Sequence, residues 1–220
     1  MLEPPAPPAE GRDNTLATDP TFRRLLGEAG WHRLNPNVRA RFAVKPAAGQ
    51  IFAFAGVMAV VRRSWFGWLL GHICRLIGTP VAPQRGRDVP TVVRIYRSGC
   101  DDGIVWERRY GFSGRAPVVV SSTKRADPPH GLLECASRGF AMRLRLFERA
   151  GAIHFASTGY CLDLGRWRLP IPQLLTPGEA HVVHSDEGDG WFRFTMSFRH
   201  RLFGETYFQD GLFHQTEGTP

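Results

Sequence analysis

Lysine is almost missing from these 220 residues. Of 28 basic residues, 26 are arginine and only Lys45 and Lys124 are lysine. An arginine bias beside 24 glycines and 17 prolines is produced by a GC-rich genome as readily as by selection for an anion-binding surface. The basic residues are scattered, with no long run. The formal charge of +8 and the pI near 10 therefore do not mark a nucleic-acid interface. Between residues 151 and 220, five arginines stand against eight acids, with Asp186, Glu187 and Asp189 in one turn.

Cysteine is scarce as well. Cys74, Cys100, Cys135 and Cys161 lie too far apart for a zinc or redox motif. The opening MLEPPAPPAEGRDN has acids and prolines where a signal peptide carries a basic end and an apolar run. A reduced, cytoplasmic compartment with free, mostly buried thiols is the expectation. Apolar runs of the ~18 residues a membrane span needs are lacking too. The two longest runs, QIFAFAGVMAVV at 50–61 and SWFGWLLGHICRLIG at 64–78, are broken up by Arg62, Arg63, His72 and Arg75. No G-x-G-x-x-G or P-loop exists, which excludes the usual nucleotide folds and gives no reason to expect a cofactor. The Ser121-Ser122 pair has no nucleophile-elbow glycines.

What the chain has in quantity is aromatic. Fifteen Phe and six Trp supply a core in which each buried Phe contributes about 1.5–3 kcal/mol. Residues 1–18, Pro- and Ala-rich, read as a disordered tail, and 19–220 as one domain. Within it, 19–45 reads as helical. Asp19-Pro20 and Asn35-Pro36 are N-cap pairs, with Gly30 ending the first helix and Arg41-Phe42 the second. Residues 50–214 read as a β domain. After 50–61, Ser64 caps an apolar helix at 64–78 that Gly78-Thr79-Pro80 ends. From 89 the period is two, with turn-rich separators, and strands fall near 90–98, 104–112, 116–124, 131–138, 140–149, 152–162, 179–186, 191–200 and 205–213. The expected fold is mainly β, with some α: a curled antiparallel meander, barrel or half-barrel, of about nine or ten strands. The connection LGRWRLPIPQLLTP at 164–177 is long and proline-stiffened. It reads as a strut across one end, with Ile171, Leu174 and Leu175 turned inward.

Parity along the strands nominates the site. In 191–200 the even face carries four large apolar residues, Phe192 to Phe198, and His200 continues it. In 104–112, Ile104, Trp106, Arg108 and Tyr110 share a face. If that aromatic face is buried, Arg108 is buried too and needs a partner, for which Glu134 is the candidate. Arg108, Trp106 and Tyr110, with Trp167 and Arg168 of the proline segment, are the candidate ligand-binding residues. Glu134 and His200 are the candidate catalytic acid and base. A structural Arg–Glu pair with a strand-end histidine is the alternative to a site. His181 and His184, three apart on a strand, fall on opposite faces, and no metal site is expected.

Five stretches together resemble a bacterial family known only as a domain of unknown function, DUF4166. They are W-E-R-R-Y at 106–110, S-x-K with L-L-E at 122–134, the 164–177 stretch, F-x-F-x-M-x-F-R-H-x-L-F-G-E at 192–205, and Q-D-G-L-F at 209–213. The likeness runs from about Leu25 to Phe213. Some members of that family are fused to nicotinamide-binding domains of the saccharopine-reductase type. The resemblance thus implies an NAD(P)-dependent oxidoreductase as partner, but supplies no activity. The expected function is to bind a small apolar or amphipathic ligand in a β-sheet cavity. Two other readings stay open: an isomerase or hydrolase using Glu134 and His200, and a membrane-surface accessory protein using residues 64–78.

Overall fold

A computed structural model describes residues 17–76, 82, 84–99, 102–127, 131–136, 139–165 and 167–216. The expected tail up to residue 16, the helix stop at 78–80, the prolines after Asp127 and Arg166 lie outside these residues, as do the side chain of Cys74 and all of Cys100. Among the described residues, Cys135 and Cys161 are free thiols.

Ten strands form a closed antiparallel barrel. They are β3 (Ile51–Arg63), β4 (Gly86–Arg97), β5 (Ile104–Tyr110), β6 (Val118–Asp127), β7 (Gly131–Cys135), β8 (Phe140–Arg149), β9 (Ala152–Asp163), β11 (Glu179–Gly188), β12 (Trp191–His200) and β13 (Gly204–Thr216). Each pairs with its neighbours along the chain, and the last closes on the first through pairs running from Tyr207↔Arg63 to Thr216↔Ala53. Closure satisfies the edges of the ten barrel strands. A two-stranded ribbon, β1 (Ala17–Thr18) with β2 (Val44–Lys45), flanks the N-terminal helices.

Helices α1 (Pro20–Arg33) and α2 (Pro36–Phe42) cap one end. Asp19 accepts from the Thr21 N–H (2.9 Å) and Asn35 from the Asn37 N–H (2.8 Å), the N-caps that the sequence places there. Helix α1 does not stop at Gly30. It runs to Arg33, and its kink is at Gly27, whose φ of 69° suits glycine. The Asn35 N–H donates to the carbonyl of Gly151 in the β8–β9 turn (2.9 Å), and Asn37 Nδ2 reaches the Asp186 carboxylate (3.2 Å). Phe22 and Phe42 then drop as an edge-on pair, 5.1 Å apart, onto Phe155 inside the barrel. Replacing Asp19 by Ala removes a cap that holds this plug in place. We expect a loss of about 1 kcal/mol, read from the midpoint of urea unfolding.

Helix α3 (Trp65–Leu76) covers the opposite end. Ser64 Oγ accepts from the Gly67 N–H (3.0 Å). Gly67 lies so close to β13 that a Cβ there would sit 2.0 Å from the Thr206 carbonyl oxygen, so only glycine lets the helix dock.

The proline-rich connection departs from its expected form. Residues Arg168–Ile171 are a strand, β10, on the edge of β9, with Pro170 opposite Cys161. Proline is tolerated there because the outer edge of β10 has no further strand to satisfy. Ile171 is half-buried, and Leu174 and Leu175 do not plug the barrel: they are 59% and 70% exposed. The anchor is polar instead. Thr206 Oγ1 donates to the Pro177 carbonyl (2.6 Å) and the Tyr160 hydroxyl to the Gly178 carbonyl (2.6 Å).

Candidate functional site

Strand parity carries a chemical cluster inward. On β5 the inner face holds Trp106, Arg108 and Tyr110, and Arg108 is only 6% exposed. Register sets Trp106 beside Ser122 and Lys124 beside Glu134. The result is a buried polar knot in an aromatic interior. Glu134 Oε1 accepts from Ser122 Oγ (2.7 Å) and from Lys124 Nζ (3.1 Å), and that ammonium lies 4.8 Å from the centroid of the Trp106 ring. The Arg108 guanidinium sits 5.6 Å from the Phe194 ring.

The charges do not balance. Burial works against the Glu134 carboxylate. Lys124, then Arg108 and the two hydrogen bonds, outweigh burial and hold this carboxyl below its ordinary range. Lys124 is pushed below the usual lysine value, by burial first and with Arg108 adding to it, although Glu134 opposes both. From α2 a third cation enters. Arg41 lies 3.9 Å above the Phe192 ring, and burial pushes its guanidinium down to about 10 despite the pull of Asp186.

His184, on the inner face of β11, completes the set. It is 5% exposed and ringed by Phe42, Phe155 and Phe194 at 5.2–6.0 Å. Burial, then Arg41, Lys124 and Arg108, drive its pKa well below the ordinary value, so the imidazole is neutral at neutral pH. Three buried polar atoms here lack hydrogen-bond partners: Arg41 Nη1, Trp106 Nε1 and His184 Nδ1. All three side chains, with Arg108, line one small cavity of about 20 Å³ whose wall is apolar. Arg41 and Trp106 also line a larger vestibule of about 430 Å³ under α1 and α2, which reaches Lys124 and Lys45. The vestibule thus touches the knot at Lys124 and shares Arg41 and Trp106 with the smaller cavity.

The structure brings together Arg108, Trp106 and Glu134. Tyr110 lies deeper, where Gln209 Nε2 donates to the Tyr110 (3.1 Å) and Tyr207 (2.6 Å) hydroxyls. Three nominated residues are elsewhere. Trp167 is exposed on the outside. Arg168 is also outside, bonded to Asp127 (2.6 Å) and 3.8 Å from Asp163, which also pairs with Arg125. His200 is buried at the α3 end against Phe66 and Phe203, with Nδ1 accepting from the Leu202 N–H (3.1 Å). It lines a different hollow from the Glu134 knot, on the far side of the barrel. Sequence reasoning missed Lys124, Ser122, His184 and Arg41. Lys124 was open to discovery as one of two lysines, on the same parity as Val118 and Val120. His184 shares the parity of the buried Ala180. On the outer wall His181 stacks with His154, ring nitrogens 3.0 Å apart. Among the described residues no cluster of three or more His, Cys, Asp or Glu could hold a metal.

No curated protein matches this chain. One family does, over residues 34–213, beginning at Leu34 and so leaving out all of α1. The match takes in the barrel and every inward residue of the knot, and the chain belongs to the family described as "Domain of unknown function (DUF4166)".

Proposed function

We propose that the barrel binds a small amphipathic acid, taken in through the vestibule beneath α1 and α2. Its carboxylate or phosphate head sits among Arg41, Arg108 and Lys124, and its apolar body lies against Phe42, Phe52 and Trp106. The observation that carries this reading is the set of unpartnered atoms, Arg41 Nη1, Trp106 Nε1 and His184 Nδ1, on side chains that line one small apolar cavity, in a field with more buried cations than anions. Unpaired buried polar groups cost about 1–3 kcal/mol each, and a ligand supplying acceptors recovers that. The vestibule volume lies in the range of small-molecule sites.

An acid–base pair of Glu134 and His200 is not favoured, because the two side chains share no cavity and Glu134 is held ionised by Lys124. The implied oxidoreductase partner fits the binding reading, with the bound acid as a shared substrate.

Native mass spectrometry of the protein titrated with decanoate tests the reading. One decanoate per chain is expected. The paired replacement of Arg41 and Arg108 by Gln should weaken binding about tenfold or more, because each removes a charge-assisted contact. A protein that stays empty, or that binds decanoate equally well without both arginines, contradicts it.

A further inference from the structure

The α3 end is built unlike the rest of the surface. Trp65, Trp68 and Leu69 are spaced i, i+3, i+4 on α3, and all three are exposed, Trp65 by 66%. The opposite face of the helix does the docking, through Leu70, Phe66 and the close approach of Gly67 to β13. The outward aromatic face is not the one that seats the helix on the barrel. It continues into the β12–β13 turn, where Phe203 stacks on Phe66 at 3.8 Å and beside Trp65 at 5.6 Å, and where Leu202 is exposed. Leu202 shares a hollow of about 560 Å³ with Leu174 of the proline-rich connection. One apolar rim thus joins three separate segments, more than scattered surface residues account for.

Beside that rim lies a basic groove of about 680 Å³. Trp68 borders it, and its charged lining is Arg63, Arg85, Arg87 and Arg115, with His72 and the single acid Asp88. Arg85 Nη2 donates to the Arg63 backbone carbonyl (2.7 Å), which fixes the Arg85 guanidinium against the end of β3. Burial, and after it Arg85, lowers the Arg63 pKa. The acidic turn of Asp186, Glu187 and Asp189 lies at the opposite, helix-capped end, where Asn37 holds Asp186. The basic groove lies directly beside the exposed indoles of the α3 end.

We propose that the α3 end docks on an anionic phospholipid bilayer. Trp65, Trp68 and Leu202 enter the interfacial layer, and Arg63, Arg85, Arg87 and Arg115 meet lipid phosphates. Indole rings favour the headgroup region, and basic collars favour anionic leaflets. No helix among the described residues is long and apolar enough to cross a membrane, so docking is peripheral. The ligand vestibule then opens away from the bilayer.

Sedimentation of the full chain with two kinds of vesicle, phosphatidylcholine alone and phosphatidylcholine mixed with phosphatidylglycerol, tests this. Pelleting is expected with the phosphatidylglycerol vesicles at low salt, with a blue shift of tryptophan emission, and release at high salt. Arg87→Gln with Arg115→Gln should weaken binding roughly 25-fold, about fivefold per charge. Trp65→Ser with Trp68→Ser should abolish the blue shift. These side chains are exposed, so the variants keep the fold. A chain left in the supernatant with phosphatidylglycerol vesicles at low salt overturns the proposal. So does pelleting indifferent to the substitutions, or a dimer that Trp65→Ser with Trp68→Ser dissociates, which would assign the rim to a second copy.

Discussion

Replacing Glu134 by Ala lowers the unfolding free energy by about 3–5 kcal/mol, the cost of stranding a buried charge by removing its partner. The carboxylate is the acceptor for both Lys124 Nζ and Ser122 Oγ, and it is the anion that the buried Arg108 faces. Without it, two buried cations confront each other in an aromatic interior with no counter-charge between them. Removing both ends of the pair should cost less, the remaining loss coming from Arg108, which still faces no anion. Lys124→Met with Glu134→Leu replaces ions by apolar side chains of similar bulk, and such exchanges are often close to neutral. Urea unfolding of the two variants gives the comparison. A Glu134→Ala cost below about 1 kcal/mol, or a double variant no better than the single, would show that the pair is not buried as described.

The second large effect is on pH. His184 is neutral in the folded barrel, because burial and three cations depress its pKa, while in the unfolded chain it titrates near 6.5. The unfolded chain therefore takes up a proton that the folded barrel refuses. The contribution is complete above about pH 6.5 and is lost as pH falls, at up to about 1.4 kcal/mol per unit. His154 and His181, both depressed chiefly by burial, add to the same slope from the outer wall. Glu134, held below its ordinary range, adds a later loss as pH falls below about 4.3. His184→Leu isolates the interior component. Its stability should vary less between pH 7 and 5 than that of the parent, by about 2 kcal/mol. Equal slopes in the two proteins would mean that His184 takes up its proton in the folded state.

Much of the architecture was legible because a barrel strand is half wet and half dry. Alternation in 191–200 returned strand β12 residue for residue, and the β5 face that carries Arg108 inward could be read from Trp106 and Tyr110. Closure was not legible. It depends on β13 pairing with β3 across more than 140 residues, and no local pattern encodes that register. That Lys124, and not only Arg108, pairs with Glu134 was missed for the same reason. Arg108 and Lys124 both point inward, and only the lateral register of β6 and β7 decides which of them bonds the carboxylate. Arg41 was hidden differently, since a short capping helix does not announce which end of a barrel it will cover. The proline segment misled through composition: Leu174 and Leu175 look like core, and the structure leaves them in solvent.

The most direct measurement of the binding claim follows the indole Nε1–H of Trp106, assigned through a Trp106→Phe variant, in ¹H–¹⁵N spectra during titration with decanoate. The proposed site requires that this unpartnered donor find an acceptor. The resonance should move in a saturable way, together with the ring signals of His184, and should stay still when Arg41 and Arg108 are both Gln. A Trp106 signal that ignores decanoate in the parent protein, while other resonances shift, would place the ligand somewhere other than inside the barrel.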